Sequence, residues 1–141
     1  MIFLDTEFNE FGGDLISIAL VSDRAEFYAV LPCLAPKPWV AEHVMPFTGP
    51  VTDTPESLAY GLAAYLTAHQ GEEILCDWPD DIVHLSRALI LGPGIMAPVV
   101  DYRCRYVSTY DHKVPSVTPH NALSDARGLR EWWRMQGKVY V

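Results

Sequence analysis

The alternation of apolar and polar positions divides the chain into a strand-rich first part and a second part in which helices and strands alternate. Ile2-Phe3-Leu4 runs directly into Asp5-Thr6-Glu7-Phe8, which reads as a buried strand that ends in acids. An Asn- and Gly-rich turn at 9–13 follows, then a second strand at 15–21, the tight turn Ser22-Asp23-Arg24 and a third strand at 25–31 carrying Phe27 and Tyr28. These three predict an antiparallel meander. Residues 32–38 hold three prolines and predict an extended connection, and 39–45 predicts a short helix stopped by Pro46. Thr54-Pro55-Glu56 has an N-cap residue and a first-position proline, which start a helix reaching His69 with Leu58, Leu62, Tyr65 and Leu66 on one face. Beyond it come a short strand at 73–76, a helix at 80–91 ended by Gly92-Pro93-Gly94, and a fifth strand at 98–107. A polar loop at 108–119 and a last helix at 121–135, closed by Gly137, complete the chain.

The order β-β-β-α-β-α-β-α predicts an α/β fold: a mixed five-stranded sheet with helices on its faces, in one domain spanning 1–141. A hydrophobic content of 50% against 20% charged residues places the chain among globular domains and excludes a disordered one. No apolar stretch is long enough to span a membrane, and the basic region and cleavage site of a signal peptide are missing, so the expected compartment is the cytoplasm. Cys33, Cys76 and Cys104 are odd in number and widely spaced, which predicts reduced thiols and no zinc site. The net charge of −8 excludes a protein that grips long duplex DNA by phosphate neutralisation. The charge is uneven: residues 1–100 hold 14 acids and 3 bases, residues 101–141 hold 4 acids and 7 bases. A mildly basic patch beside an acidic site is the expected consequence.

The candidate chemistry lies in the acids. Side chains alternate along a strand, so Asp5 and Glu7 share one face about 6–7 Å apart. Two carboxylates on a core strand repel and lose hydration, and they need a cation or a retained proton unless the strand surfaces early. On the last helix, Asp125 falls on the side of Ala122, Leu129 and Trp132, which must face the sheet. Arg127, Arg130 and Arg134 lie opposite and predict a solvated basic face. A metal ion serves Asp125 as well as the strand acids. In Cys76-Asp77-Trp78-Pro79-Asp80-Asp81, three aspartates stand between a strand and a helix. Asp77 or Asp80 suits a helix cap, and Asp81, four residues before Leu85, is the best candidate for an inward ligand. His120, five residues before Asp125, is a candidate base. His43, His69, His84 and His112 are expected to have no special role.

Together, Asp5-x-Glu7 on a first strand, an aspartate opening a middle helix, and His120-x-Ala122-x-x-Asp125-Ala126 resemble the three motifs of the DEDDh-type 3′–5′ exonucleases, the superfamily of ribonuclease T and oligoribonuclease. Asp5-Thr6-Glu7-Phe8, Leu15-Ile16-Ser17-Ile18 leading to Phe27-Tyr28-Ala29-Val30, and Trp39-Val40 with Val44-Met45-Pro46 are similar to the small single-domain bacterial and phage exoribonuclease-like proteins. The resemblance implies a ribonuclease-H-like fold with the first strand central. It implies two Mg²⁺ or Mn²⁺ ions on Asp5, Glu7, Asp81 and Asp125, with Asp5 shared, and His120 as general base. It further implies a single-stranded nucleic-acid substrate, RNA favoured over DNA, and a homodimer, for which Trp39 or Trp133 would serve if exposed, ordinary core packing being the alternative for both. Thr6 and Phe8 are the candidate substrate contacts, Phe8 as a base-stacking platform or else a core phenylalanine. Two other functions fit the same residues: a nuclease-fold binding module that has lost catalysis, and a phosphodiesterase acting on dinucleotides.

Overall fold

The computed structural model describes residues 1–108 and 116–137. In chain order the elements are β1 (Ile2–Phe8), β2 (Leu15–Val21), β3 (Glu26–Val30), α1 (Pro38–His43), α2 (Met45–Thr48), α3 (Pro55–Ala68), β4 (Glu73–Cys76), α4 (Pro79–Ala88), β5 (Ile90–Gly92), β6 (Ile95–Met96), β7 (Arg103–Tyr106) and α5 (Ala122–Met135). Five strands form one mixed sheet in the order β3-β2-β1-β4-β7, with β1 at its centre. The meander β1-β2-β3 is antiparallel, whereas β4 runs parallel to β1, and β7 parallel to β4.

Strand alternation in β1 assigns its residues to two cores. Ile2 and Leu4 point to the layer that α3 and α4 cover, where they join Ile18, Leu20, Leu58, Leu62 and Leu85. Phe3 points the other way, to Leu75, Leu129, Trp132 and Trp133 under α5. Asp5 and Glu7 therefore continue the α5 face, and Thr6 continues the α3–α4 face.

Several expectations change on folding. Pro46 does not stop a helix: Val44 ends α1, and Pro46 sits in the first turn of α2, where a missing N–H costs nothing. Helix α4 runs from Pro79 to Ala88, shorter than the expected 80–91, because Leu89 turns out of it and accepts a hydrogen bond from the Ala97 amide at 2.9 Å. The intervening Gly92-Pro93-Gly94 belongs to a small antiparallel hairpin, β5-β6, which alternation over so few residues does not reveal. The cap of α4 is Trp78, without a side-chain cap bond, and neither Asp77 nor Asp80. Strand β7 covers four residues of the expected 98–107, because its partner β4 offers only the rungs Glu73↔Arg103 to Cys76↔Tyr106. Arg127 and Arg134 are exposed, as a solvated face requires, and Arg130 is partly covered, but none of the three is left unpaired. Arg127 pairs with Glu26, Arg134 with Asp23, and Arg130 with Glu131 and the Ser22 carbonyl, so they tie the helix to the β2–β3 end of the sheet. Trp133 is 6% exposed under the Arg105 guanidinium and is no surface aromatic, while Trp39 is 48% exposed. The 108–119 loop lies partly, and His112 wholly, outside the described residues. No helix among those residues is long and apolar enough to cross a membrane.

Candidate active site

The cleft that matters opens where β4 falls away from β1. The two strands pair only at Ile2↔Ile74 and Phe3↔Leu75, so beyond Phe3 the β4-facing edge of β1 has no ladder partner. An unpaired amide at this depth needs an acceptor. Asp81 supplies it: its Oδ1 accepts from the Thr6 amide at 3.2 Å and from the Thr6 hydroxyl at 2.6 Å. Pro79 takes the first position of α4, which leaves Asp81 in the first turn with its carboxylate turned to the sheet, 1% exposed. Asp80, on the same turn, stands outside the cluster of acids around Asp5.

Asp125 arrives from the opposite face. Asn121 caps α5 by accepting from the Ser124 amide at 3.0 Å, and its own amide group donates to the Phe47 carbonyl at 2.8 Å, fixing where the helix begins. One turn in, Asp125 accepts from the Ser116 hydroxyl through Oδ1 and from the His120 amide through Oδ2 at 3.0 Å. His120 adopts φ 65°, the left-handed region that a histidine enters at a cost of about 1 kcal/mol, and the Asp125 bond holds it there. Trp39 meets the imidazole edge-on with centroids 5.3 Å apart.

The acids form two overlapping groups. Carboxylate oxygens of Asp5, Glu7 and Asp125 lie within 4.8 Å of one another, and so do those of Asp5, Asp77 and Asp81. Asp5 belongs to both. Burial pushes its carboxyl well above the usual carboxylate range, and Asp81, Glu7, Asp125 and Asp77 push in the same direction. Glu7 is raised from 4.5 to about 8, by burial first, then by the charges of Asp125 and Asp81 and by a hydrogen bond to Asp125. Asp81 is raised to about 8 by burial, against the Thr6 hydrogen bonds that favour its charged form. Asp125 is raised by burial, opposed by Ser116 and the His120 amide. Asp5 Oδ2 and Asp81 Oδ2 are buried without a hydrogen-bond partner among the described residues. Two orphaned carboxylate oxygens among clustered acids fit a hard divalent cation, and a donor set made only of oxygen suits Mg²⁺ or Mn²⁺ better than a softer metal.

All seven residues singled out from the sequence line one cleft of ≈ 600 Å³: Asp5, Thr6, Glu7, Phe8, Asp81, His120 and Asp125. Thr6 is there chiefly through Asp81, which takes its hydroxyl. Phe8 is half-buried, its ring stacked on His84 at 4.5 Å, which gives that histidine a place in the wall of the site. Asp77, Trp78 and Tyr106 also line the cleft. Asp77 was visible in the sequence only as one of three competing acids. The aromatic rim of Trp78 and Tyr106 had no local signal, since it arises where the parallel strands β4 and β7 end side by side. Compared with known proteins, the chain matches no family model, no curated protein and no solved structure.

Proposed function

We propose that the protein is a metal-dependent 3′–5′ exonuclease of the DEDDh type on a ribonuclease-H-like fold, removing nucleotides from the 3′ end of single-stranded RNA, short oligonucleotides or DNA. The observation that carries this reading is the pair of acid groups sharing Asp5. One ion would be held by Asp5, Glu7 and Asp125, a second by Asp5, Asp77 and Asp81, with Asp5 common to both. When bound, the ions supply Lewis acidity toward the phosphodiester and lower the pKa of water. The chain's own residues set the geometry. Thr6 orients Asp81, and Ser116 with the His120 amide orients Asp125. An imidazole nitrogen of His120 accepts the proton of the attacking water. Phe8, Trp78 and Tyr106 offer the cleft aromatic surface for an unstacked base.

Mn²⁺-dependent digestion of 3′-labelled and 5′-labelled single-stranded RNA and DNA tests the reading. The 3′ label should appear at once as a mononucleotide, with RNA cleaved faster. Asp5→Ala and Asp125→Ala should abolish release while circular dichroism is retained, and His120→Ala should lower the rate sharply with metal binding intact. Full activity of Asp5→Ala would end the proposal. One observation favours a narrower reading, a phosphodiesterase of dinucleotides: no Lys or Arg is among the described residues lining the cleft, so little there holds a long backbone. Comparing two-nucleotide with long substrates separates the two.

A further inference from the structure

Among the described residues the His120 imidazole makes no hydrogen bond; only its backbone amide is tied, to Asp125. With φ at 65° in a turn, the side chain is free to rotate about its single bonds unless packing stops it. The ring contact it does make is with an indole. The Trp39 and His120 rings stand 5.3 Å apart between centroids at 84°, the perpendicular arrangement that aromatic pairs favour. Trp39 is in turn backed by His43, one helical turn on, whose ring stacks on the indole at 4.7 Å and whose Nδ1 donates to the Trp39 carbonyl at 3.0 Å. The short helix that carries both is firmly seated. Val40 and Val44 are buried against Ile16 of β2. Asn9, next to Phe8, accepts from the Lys37 amide at 2.7 Å and donates to the Ala35 carbonyl at 3.0 Å, which fixes the entry to α1 from the end of β1. His120 lines the acidic cleft, whereas Trp39 stands behind it and is not part of the lining.

Resting on the exonuclease reading above, we infer that Trp39 is a positioning residue for His120: its indole holds the imidazole in an orientation that presents a ring nitrogen to the attacking water, and His43 braces the indole. A general base works only when its nitrogen is within hydrogen-bond reach of the proton it takes, and a ring free to turn spends much of its time out of reach. The indole acts through the imidazole and touches neither the acids nor the phosphodiester. Its loss therefore lowers kcat and leaves KM alone. A base-stacking role would do the reverse, since binding would weaken first.

The test has a kinetic and a spectroscopic arm. On short 3′-labelled single-stranded RNA or DNA with Mn²⁺, Trp39→Leu should lower kcat about fivefold to tenfold with KM within about twofold of wild type, and Trp39→Phe should restore most of the loss. In a His120→Ala background, Trp39→Leu should cost nothing more, because the residue it positions is gone. In metal-free protein carrying ¹³C-labelled histidine, the His120 ring resonances should move in Trp39→Leu toward those of a histidine in the unfolded chain, and stay near wild type in Trp39→Phe. A rise in KM with kcat unchanged, an equal loss in both backgrounds, or unmoved His120 resonances each overturn the positioning role and leave the exonuclease reading standing. Failure of wild-type protein to release nucleotides from either strand overturns that reading, and the positioning role with it.

Discussion

Replacing Glu7 by Gln should stabilise the metal-free protein at alkaline pH and leave it nearly unchanged in acid. Glu7 is held up to about 8 in the fold from an ordinary value of 4.5, by burial and then by Asp125 and Asp81. Between these values the folded protein keeps a proton that the unfolded chain has lost. Unfolding therefore releases a proton, and stability falls as pH rises through the window from about 4.5 to about 8. At about 1.4 kcal/mol per pH unit the whole separation is on the order of 5 kcal/mol. The acids titrate as a group, so roughly half of that is assigned to Glu7 alone. Glutamine has the shape of the protonated acid and carries no charge at any pH. Thermal unfolding in EDTA at pH 8.5 should thus show a Tm about 6–9 °C higher for Glu7→Gln than for wild type, and a difference near zero at pH 4.5. Saturating Mn²⁺ at pH 8.5 should reverse the order, because the cation that relieves the repulsion in wild type loses a ligand in the variant. An equal change of Tm at both pH values in EDTA would refute the reasoning, since the carboxylate would then act through shape or a fixed hydrogen bond and not through its charge.

Thr6→Val removes the hydroxyl that donates to Asp81 at 2.6 Å, and it should cost about 1.5–3 kcal/mol in urea unfolding at pH 8.5, where Asp81 is ionised, and weaken Mn²⁺ binding measured by calorimetry. Asp77→Asn leaves the Asp5–Glu7–Asp125 group complete, so calorimetry should find one Mn²⁺ event of wild-type affinity and the other weakened at least tenfold. Two unaltered events would exclude Asp77 as a ligand. Gly13→Ala sets a methyl group against the Asn9 carbonyl and should cost about 2 kcal/mol or more in denaturant unfolding, whereas Gly12→Ala, at φ 75° in open space, should cost about 1 kcal/mol.

Features that depend on near neighbours were legible in the chain. The two-residue period of β1 put Asp5 and Glu7 on one face, and the structure brings both to one cleft. The cap of α3 by Thr54 and the entry to α5 at Asn121 follow from the residue types at those positions. The angular position of Asp125 on α5 announced an inward acid, and it lies with Asp5 and Glu7.

Tertiary structure decided what long-range pairing controls. The early parting of β4 from β1 leaves the Thr6 amide open, and that open donor, 75 residues away in sequence, fixes Asp81 as an inward acid. The helical spacing to Leu85 favoured Asp81 over Asp80, but the bond that holds it inward has no local signal. The arginines of α5 meet acids 101 and 111 residues earlier, so a helical projection could identify their face but not their partners. The short rungs of β4 decided the length of β7, and the aromatic rim exists only because these two strands end together. Alternation and helical period specify which way a side chain points from its own element. What it meets there depends on which other elements the sheet order brings alongside, and that order is set by burial of the whole core.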